Sequence, residues 1–145
     1  MIQFSRREDY AIVIVGTLAN AYAKRHVPLS EIANEYAISQ LFLRNIANEL
    51  REAGVITATE GKNGGYVLTQ SPEKIKMGQI LGIFLQKRHV TCCSTNNDHT
   101  KNRVCPKEKS CVAGNIWREI NKEFIDKVYS LSLQEFLEYK KETLN

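Results

Sequence analysis

Residues 29–69 carry three consecutive signals that leave few folds open. Ile32, Ala33 and Ala37 mark a short helix with Ser30 as its expected N-cap. After Ile38, Ser39 offers a second N-cap. Phe42, Leu43, Ile46, Ala47 and Leu50 then recur at helical spacing as far as Gly54, a natural residue just past a helix end. Residues 55–59 read as a strand, residues 60–65 as a turn with Asn63-Gly64 as its hairpin signal, and residues 66–69 as the return strand. Two helices joined by a tight turn give a helix-turn-helix outline, though a plain helical hairpin has the same pattern. A hairpin directly behind it reads as a wing. In that geometry the second helix enters the major groove with its N-terminal residues at the base edges. Ser39, Gln40, Arg44 and Asn45 are the candidate DNA-binding residues there, Arg44 suiting a guanine and Gln40 or Asn45 an adenine. Lys62, at the wing tip, is placed to approach phosphates or the minor groove.

The flanking segments are helical. Ser5 and Glu8 have the spacing of a capping box. They open a helix expected to reach Lys24, buried through Ala11, Ile14, Val15, Leu18, Ala19 and Tyr22. Asp9 falls in its first turn, where a carboxylate complements the positive helix end. Residues 77–87 read as a short apolar helix weakened by Gly78 and Gly82. Ile116, Trp117, Ile120, Phe124, Val128 and Leu131 repeat at three and four residues, which predicts one long amphipathic helix over 112–130. Its stripe needs a cover. A second copy of the chain is one, giving a two-fold dimer, and its own domain is the other. Ser132 and Glu135 form a further capping box that opens a short last helix.

The chain has 145 residues and a formal charge of +4. Residues 29–71 nevertheless hold three basic and five acidic residues, so this module should bind random DNA weakly. The adjacent Arg6 and Arg7 could add phosphate contacts. No apolar run reaches the length of a membrane span, and the N-terminus lacks the apolar core of a signal peptide. A cytoplasmic protein is the expectation, a setting where stable disulfides are rare. No nucleophile–base pairing, phosphate loop or glycine-rich cofactor turn points to an enzyme.

All four cysteines, Cys92, Cys93, Cys105 and Cys111, lie within residues 92–111. That stretch is polar and lacks the apolar period of a core segment. A disulfide, a metal site, a metal–sulfur cluster or a redox switch could each account for them. Residues 87–109 carry six basic and two acidic side chains, surroundings that favour thiolates, and thiolates ligate zinc and iron–sulfur clusters. No C-x-x-C pair of the usual zinc kind is present.

Ile38-Ser39, Leu43, Leu50, Ala53-Gly54-Val55-Ile56, Gly61, Gly64-Gly65-Tyr66 and Leu68, with Ser5, Asp9-Tyr10-Ala11 and Trp117, resemble the IscR/NsrR family of bacterial transcription regulators along essentially the whole chain. The resemblance implies a mainly α fold with a small β-hairpin wing: a winged helix-turn-helix with a long C-terminal dimerisation helix. It divides the chain into a DNA-binding domain over 1–86 (wing 55–69), a cysteine-containing cluster loop over 87–111, and a dimerisation helix with a short C-terminal helix over 112–145. Cluster-binding members carry three loop cysteines and a tryptophan six residues after the last. Cys105, Cys111 and Trp117 keep that spacing. The metal ligands implied are Cys93, Cys105, Cys111 and, as in one branch of the family, a carboxylate from the partner subunit at the position of Asp9.

The sequence departs from the family at several points. Eleven residues separate Cys93 from Cys105, more than in the best-known members, which leaves Cys92 as an alternative first ligand. Gly114 replaces the histidine ligand of another branch. Asp98 and His99 are outside candidates, and His89 reads as an exposed histidine at a helix end. Glu60 stands where arginine is common before Gly61, so a different operator preference is expected.

Together these features point to a homodimeric regulator of a palindromic DNA operator, sensing iron–sulfur, nitric oxide or redox status through an iron–sulfur cluster, four-iron in preference to two-iron. A cluster-free regulator switched by thiol oxidation or a protein partner, and an interaction module without DNA binding, are the alternatives.

Overall fold

The computed structural model describes residues 5–84 and 111–142. Six helices and one two-stranded hairpin make up these residues: α1 (Arg6–Asn20), α2 (Leu29–Tyr36), α3 (Gln40–Glu52), β1 (Ile56–Thr59), β2 (Gly65–Leu68), α4 (Met77–Phe84), α5 (Val112–Ser130) and α6 (Leu133–Glu142). The mainly helical winged-helix fold expected from the sequence is the fold observed.

Helix α1 begins at the predicted capping box. The Glu8 carboxylate accepts the backbone N–H of Ser5 and is wholly buried. The helix ends at Asn20, earlier than Lys24. Tyr22 N–H and Lys24 N–H bond three residues back, to Ala19 and Ala21, and Ala23 takes a left-handed φ of 59°. These tight turns replace the last helical turn. Helix α2 starts one residue before the predicted cap: Pro28, with φ −72° and ψ 144°, is the N-cap, and Ser30 lies inside the helix. Ala37 closes α2 in the left-handed region (φ 52°), and Ile38 N–H returns to Ala33 O at 3.0 Å. That reversal sends the chain into α3, which has Ser39 at its N-cap and Gly54 (φ 74°) just past its end.

In the wing, β1 and β2 pair antiparallel, Ile56 opposite Leu68 and Thr59 opposite Gly65. Val27 adds an isolated antiparallel bridge to β2: its N–H and C=O bond to Tyr66 at 3.0 and 2.8 Å. The hairpin turn is not built on Asn63-Gly64. Its positive φ belongs to Gly61 (112°), and Gly64 N–H bonds Gly61 O at 3.0 Å, which places Lys62 and Asn63 at the tip. At Gly65 a Cβ would lie 2.7–2.9 Å from the Val27-Pro28 backbone. Only glycine lets the wing approach that backbone so closely.

The core joins Ile14 and Leu18 of α1, Ile32 of α2, Leu43, Ile46 and Leu50 of α3, Ile56 of β1, and Met77, Ile80 and Leu81 of α4, all at most 1% exposed. The last two helices share it. Leu133 is fully buried, Met77 N–H bonds Leu131 O, and Leu133 N–H bonds Ile75 O, each at 2.8 Å. The second capping box is closed: Glu135 Oε2 accepts Ser132 N–H at 2.7 Å and Ser132 Oγ–H at 2.8 Å, and these bonds hold the Glu135 carboxyl below its usual range. Helix α5 spans the predicted residues. Residues 85–87 of the expected α4, and the loop with Cys92, Cys93, Asp98, His99, Cys105 and His89, lie outside the described residues.

Candidate nucleic-acid interface

Ser39, Gln40, Arg44 and Asn45 are all exposed on one end of α3, while Leu43, Ile46, Ala47 and Leu50 bury its other face. The helical period divides the two sets. Ser39 makes no side-chain capping bond to α3. Lys62 is exposed at the wing tip. The predicted DNA-binding residues therefore lie on the surface of the helix-turn-helix and its wing.

Ion pairs offset the acidic balance of this module. Arg7 of α1 pairs with Glu49 of α3, and its guanidinium also lies 5.6 Å from the centre of the Phe84 ring at the end of α4. Arg25 pairs with Glu31 through two bonds, one of 2.9 Å. That pairing raises the Arg25 pKa and lowers the Glu31 pKa from their ordinary values. Both cations come from outside residues 29–71, so a count over that window misses them. Arg6 has a different place. With Tyr10, Ala37, Ile38, Ser39, Leu41, Phe42 and Asn45 it lines an open groove of about 510 Å³ at the start of α3. Tyr10 and Phe42 meet edge to face there, ring centres 5.5 Å apart.

Two expected cluster ligands can be placed. Asp9 is exposed on the first turn of α1, next to the buried Glu8. Cys111 is the N-cap of α5, and its sulfur accepts Gly114 N–H at 3.4 Å. Anionic ligand atoms are favoured at the start of such a helix, which suits this one thiol to metal–sulfur ligation. Among the described residues no group of three or more His, Cys, Asp or Glu side chains is placed to hold a metal ion; Cys93 and Cys105 are not among them. Also among the described residues, no helix is long and apolar enough to cross a membrane.

A buried helical core carrying an exposed second helix and a glycine-closed wing is a winged helix-turn-helix, an arrangement that can place a helix in the major groove. The chain belongs to the Rrf2 family, described as iron-dependent transcriptional regulators, which matches residues 4–139. It is 25% identical over 136 residues to the HTH-type transcriptional regulator IscR of Vibrio vulnificus, covering 94% of this chain and 77% of that one. Its fold is similar to that of CymR (YrzC), the global cysteine regulator of B. subtilis (TM-score 0.74, 23% identity, 96% of this chain and 98% of that one). The T. potens IscR structure is also similar (TM-score 0.72, 23% identity, 99% and 92%).

Proposed function

We propose that this regulator acts as a homodimer on a palindromic operator and senses iron–sulfur, nitric oxide or redox status through a cluster held by Cys93, Cys105, Cys111 and Asp9 of the partner subunit. The observation that carries the reading is the separation of two adjacent carboxylates. Glu8 is buried and committed to the capping box, whereas Asp9 stands exposed on the surface of α1. Only Asp9 can reach another subunit without taking the helix start apart. Bound there, the cluster supplies a redox-active centre whose presence depends on cellular conditions. Asp9 then links α1 of one subunit to the cysteine loop of the other, and α1 packs directly on α3. A ligand acts on DNA binding only through its different affinities for the two arrangements of the recognition helices.

Residues 1–86 serve as the DNA-binding domain, 87–111 as the sensing loop and 112–145 as the dimerisation segment. The adjacent Cys92 leaves one thiol beyond a three-cysteine set. This favours, as a second reading, a cluster-free regulator of the same fold switched by thiol oxidation.

Anaerobic purification followed by iron and acid-labile sulfide analysis separates the two. Matched iron and sulfide with visible absorption, lost in Cys105→Ala and Cys111→Ala, is the expected result. Asp9→Ala should release iron faster while changing stability by no more than about 1 kcal/mol, the worth of a first-turn carboxylate. A colourless protein after reconstitution with iron and sulfide overturns the cluster and leaves the thiol switch.

A further inference from the structure

Leu41 has no role in the core. It is 68% exposed and is the second residue of α3. The helix buries Leu43, Ile46, Ala47 and Leu50 on its other face. Arg44 and Asn45 follow Leu41 by three and four residues, about one helical turn, so the three side chains form one patch. A single exposed leucine is ordinary on a protein surface. This one lies in the first turn of the helix that enters the major groove, where side chains meet base edges. It also walls the groove shared by Arg6, Tyr10, Phe42 and Asn45. A cation and an amide beside an apolar wall suit a nucleic-acid strand, which carries phosphates and mixed base edges, better than a purely apolar ligand.

Among the base edges of the major groove, one group is apolar: the C5 methyl of thymine. Opposite an adenine or cytosine amino group, a leucine would leave a desolvated donor without a partner. We propose that Leu41 is a specificity-determining residue that packs on a thymine methyl in each operator half-site, within the patch formed with Arg44 and Asn45. The proposal rests on the DNA-binding reading above and names a chemical feature of the operator.

The test uses the full chain to select duplexes from a random library. Each thymine of the selected site is then replaced by deoxyuridine, symmetrically in both half-sites, which removes the methyl group alone. One symmetric pair should be sensitive: burial of a methyl is worth about fourfold in affinity, or about fifteenfold over two half-sites. Leu41→Ala should bind the thymine and uracil duplexes equally and lose that thymine on reselection. Leu41→Met, which keeps the apolar reach, should retain it. Circular dichroism and melting of both variants should match the parent, because the side chain is exposed. If no thymine is methyl-sensitive, or if Leu41→Ala keeps the sensitivity, the Leu41 assignment is overturned and the regulator reading stands. If no duplex is enriched at all, the DNA-binding reading falls and the assignment with it.

Discussion

Arg6 and Arg7 are neighbours in sequence with separate duties. Arg7 is held between Glu49 and the Phe84 ring, while Arg6 is exposed on the groove beside the start of α3. Arg7→Ala should lower the unfolding free energy by about 1 kcal/mol, an exposed ion pair plus a cation–ring contact, with little change in the salt dependence of DNA binding. Arg6→Ala should leave stability within about 0.5 kcal/mol. It should reduce the slope of log affinity against log salt by about 0.9 for each half-site. Urea melts and salt titrations on one selected duplex read both effects, and the reverse pattern would exchange the two roles. The sequence shows the arginines as an equivalent pair because Glu49 is 42 positions away. Glu8 was legible as a structural carboxylate because its partner, Ser5, is three positions away. Leu41 left a signal too, an apolar residue outside the helical period, but its significance depends on which face of α3 is buried.

Among elements, the junction of α4 and α5 is open to a direct test. A Cβ on Gly78 would lie 3.1–3.2 Å from three Tyr129 atoms, one of them Tyr129 Cβ, close to the α5 backbone. A Cβ on Gly82 meets nothing within 4 Å among the described residues. Gly82→Ala should therefore gain up to about 1 kcal/mol from helix propensity. Gly78→Ala should lose about 1 kcal/mol instead, because α5 must shift to admit the methyl. Thermal melts of the pair measure the difference, and equal stabilisation would mean that α5 is not held on α4 at Tyr129. Helix starts were legible where capping is local, as at Ser5-Glu8 and Ser132-Glu135. The α5 period gave both of its ends. The errors came where backbone conformation decided. The left-handed turn at Ala23 has no glycine or asparagine to announce it, Pro28 displaced Ser30 as a cap, and Gly61 rather than Asn63-Gly64 carries the wing turn. At the level of the site, the division of α3 into a buried and an exposed face was legible from periodicity. Three of the four cysteines fall outside the described residues, and the ligand role proposed for them rests on the family resemblance.

For the whole molecule, α5 has more apolar surface than the other described residues cover. Val128 and Tyr129 are half-buried where the helix packs on α4. Ile116, Trp117, Ile120 and Phe124 remain 41–53% exposed. Their spacing puts all four along one side of the helix. Packing on the described residues of its own chain therefore accounts for the C-terminal end of α5 and leaves this stripe open among them. A second copy brought up by a two-fold axis would bury the stripe against itself and fix the distance between the two α3 helices. The double substitution Ile120→Asp with Phe124→Asp should then give a monomer by sedimentation at concentrations where the parent is a dimer. Far-UV circular dichroism should be nearly unchanged, since neither side chain belongs to the monomer core. Binding to a palindrome should fall by a factor on the order of 10²–10⁴, because the second half-site no longer binds as part of the same molecule, while contact with a single half-site persists. A variant that stays dimeric would place the subunit contact elsewhere. A variant that becomes monomeric yet keeps full affinity for the palindrome would separate dimerisation from operator recognition, which the two-fold arrangement does not allow.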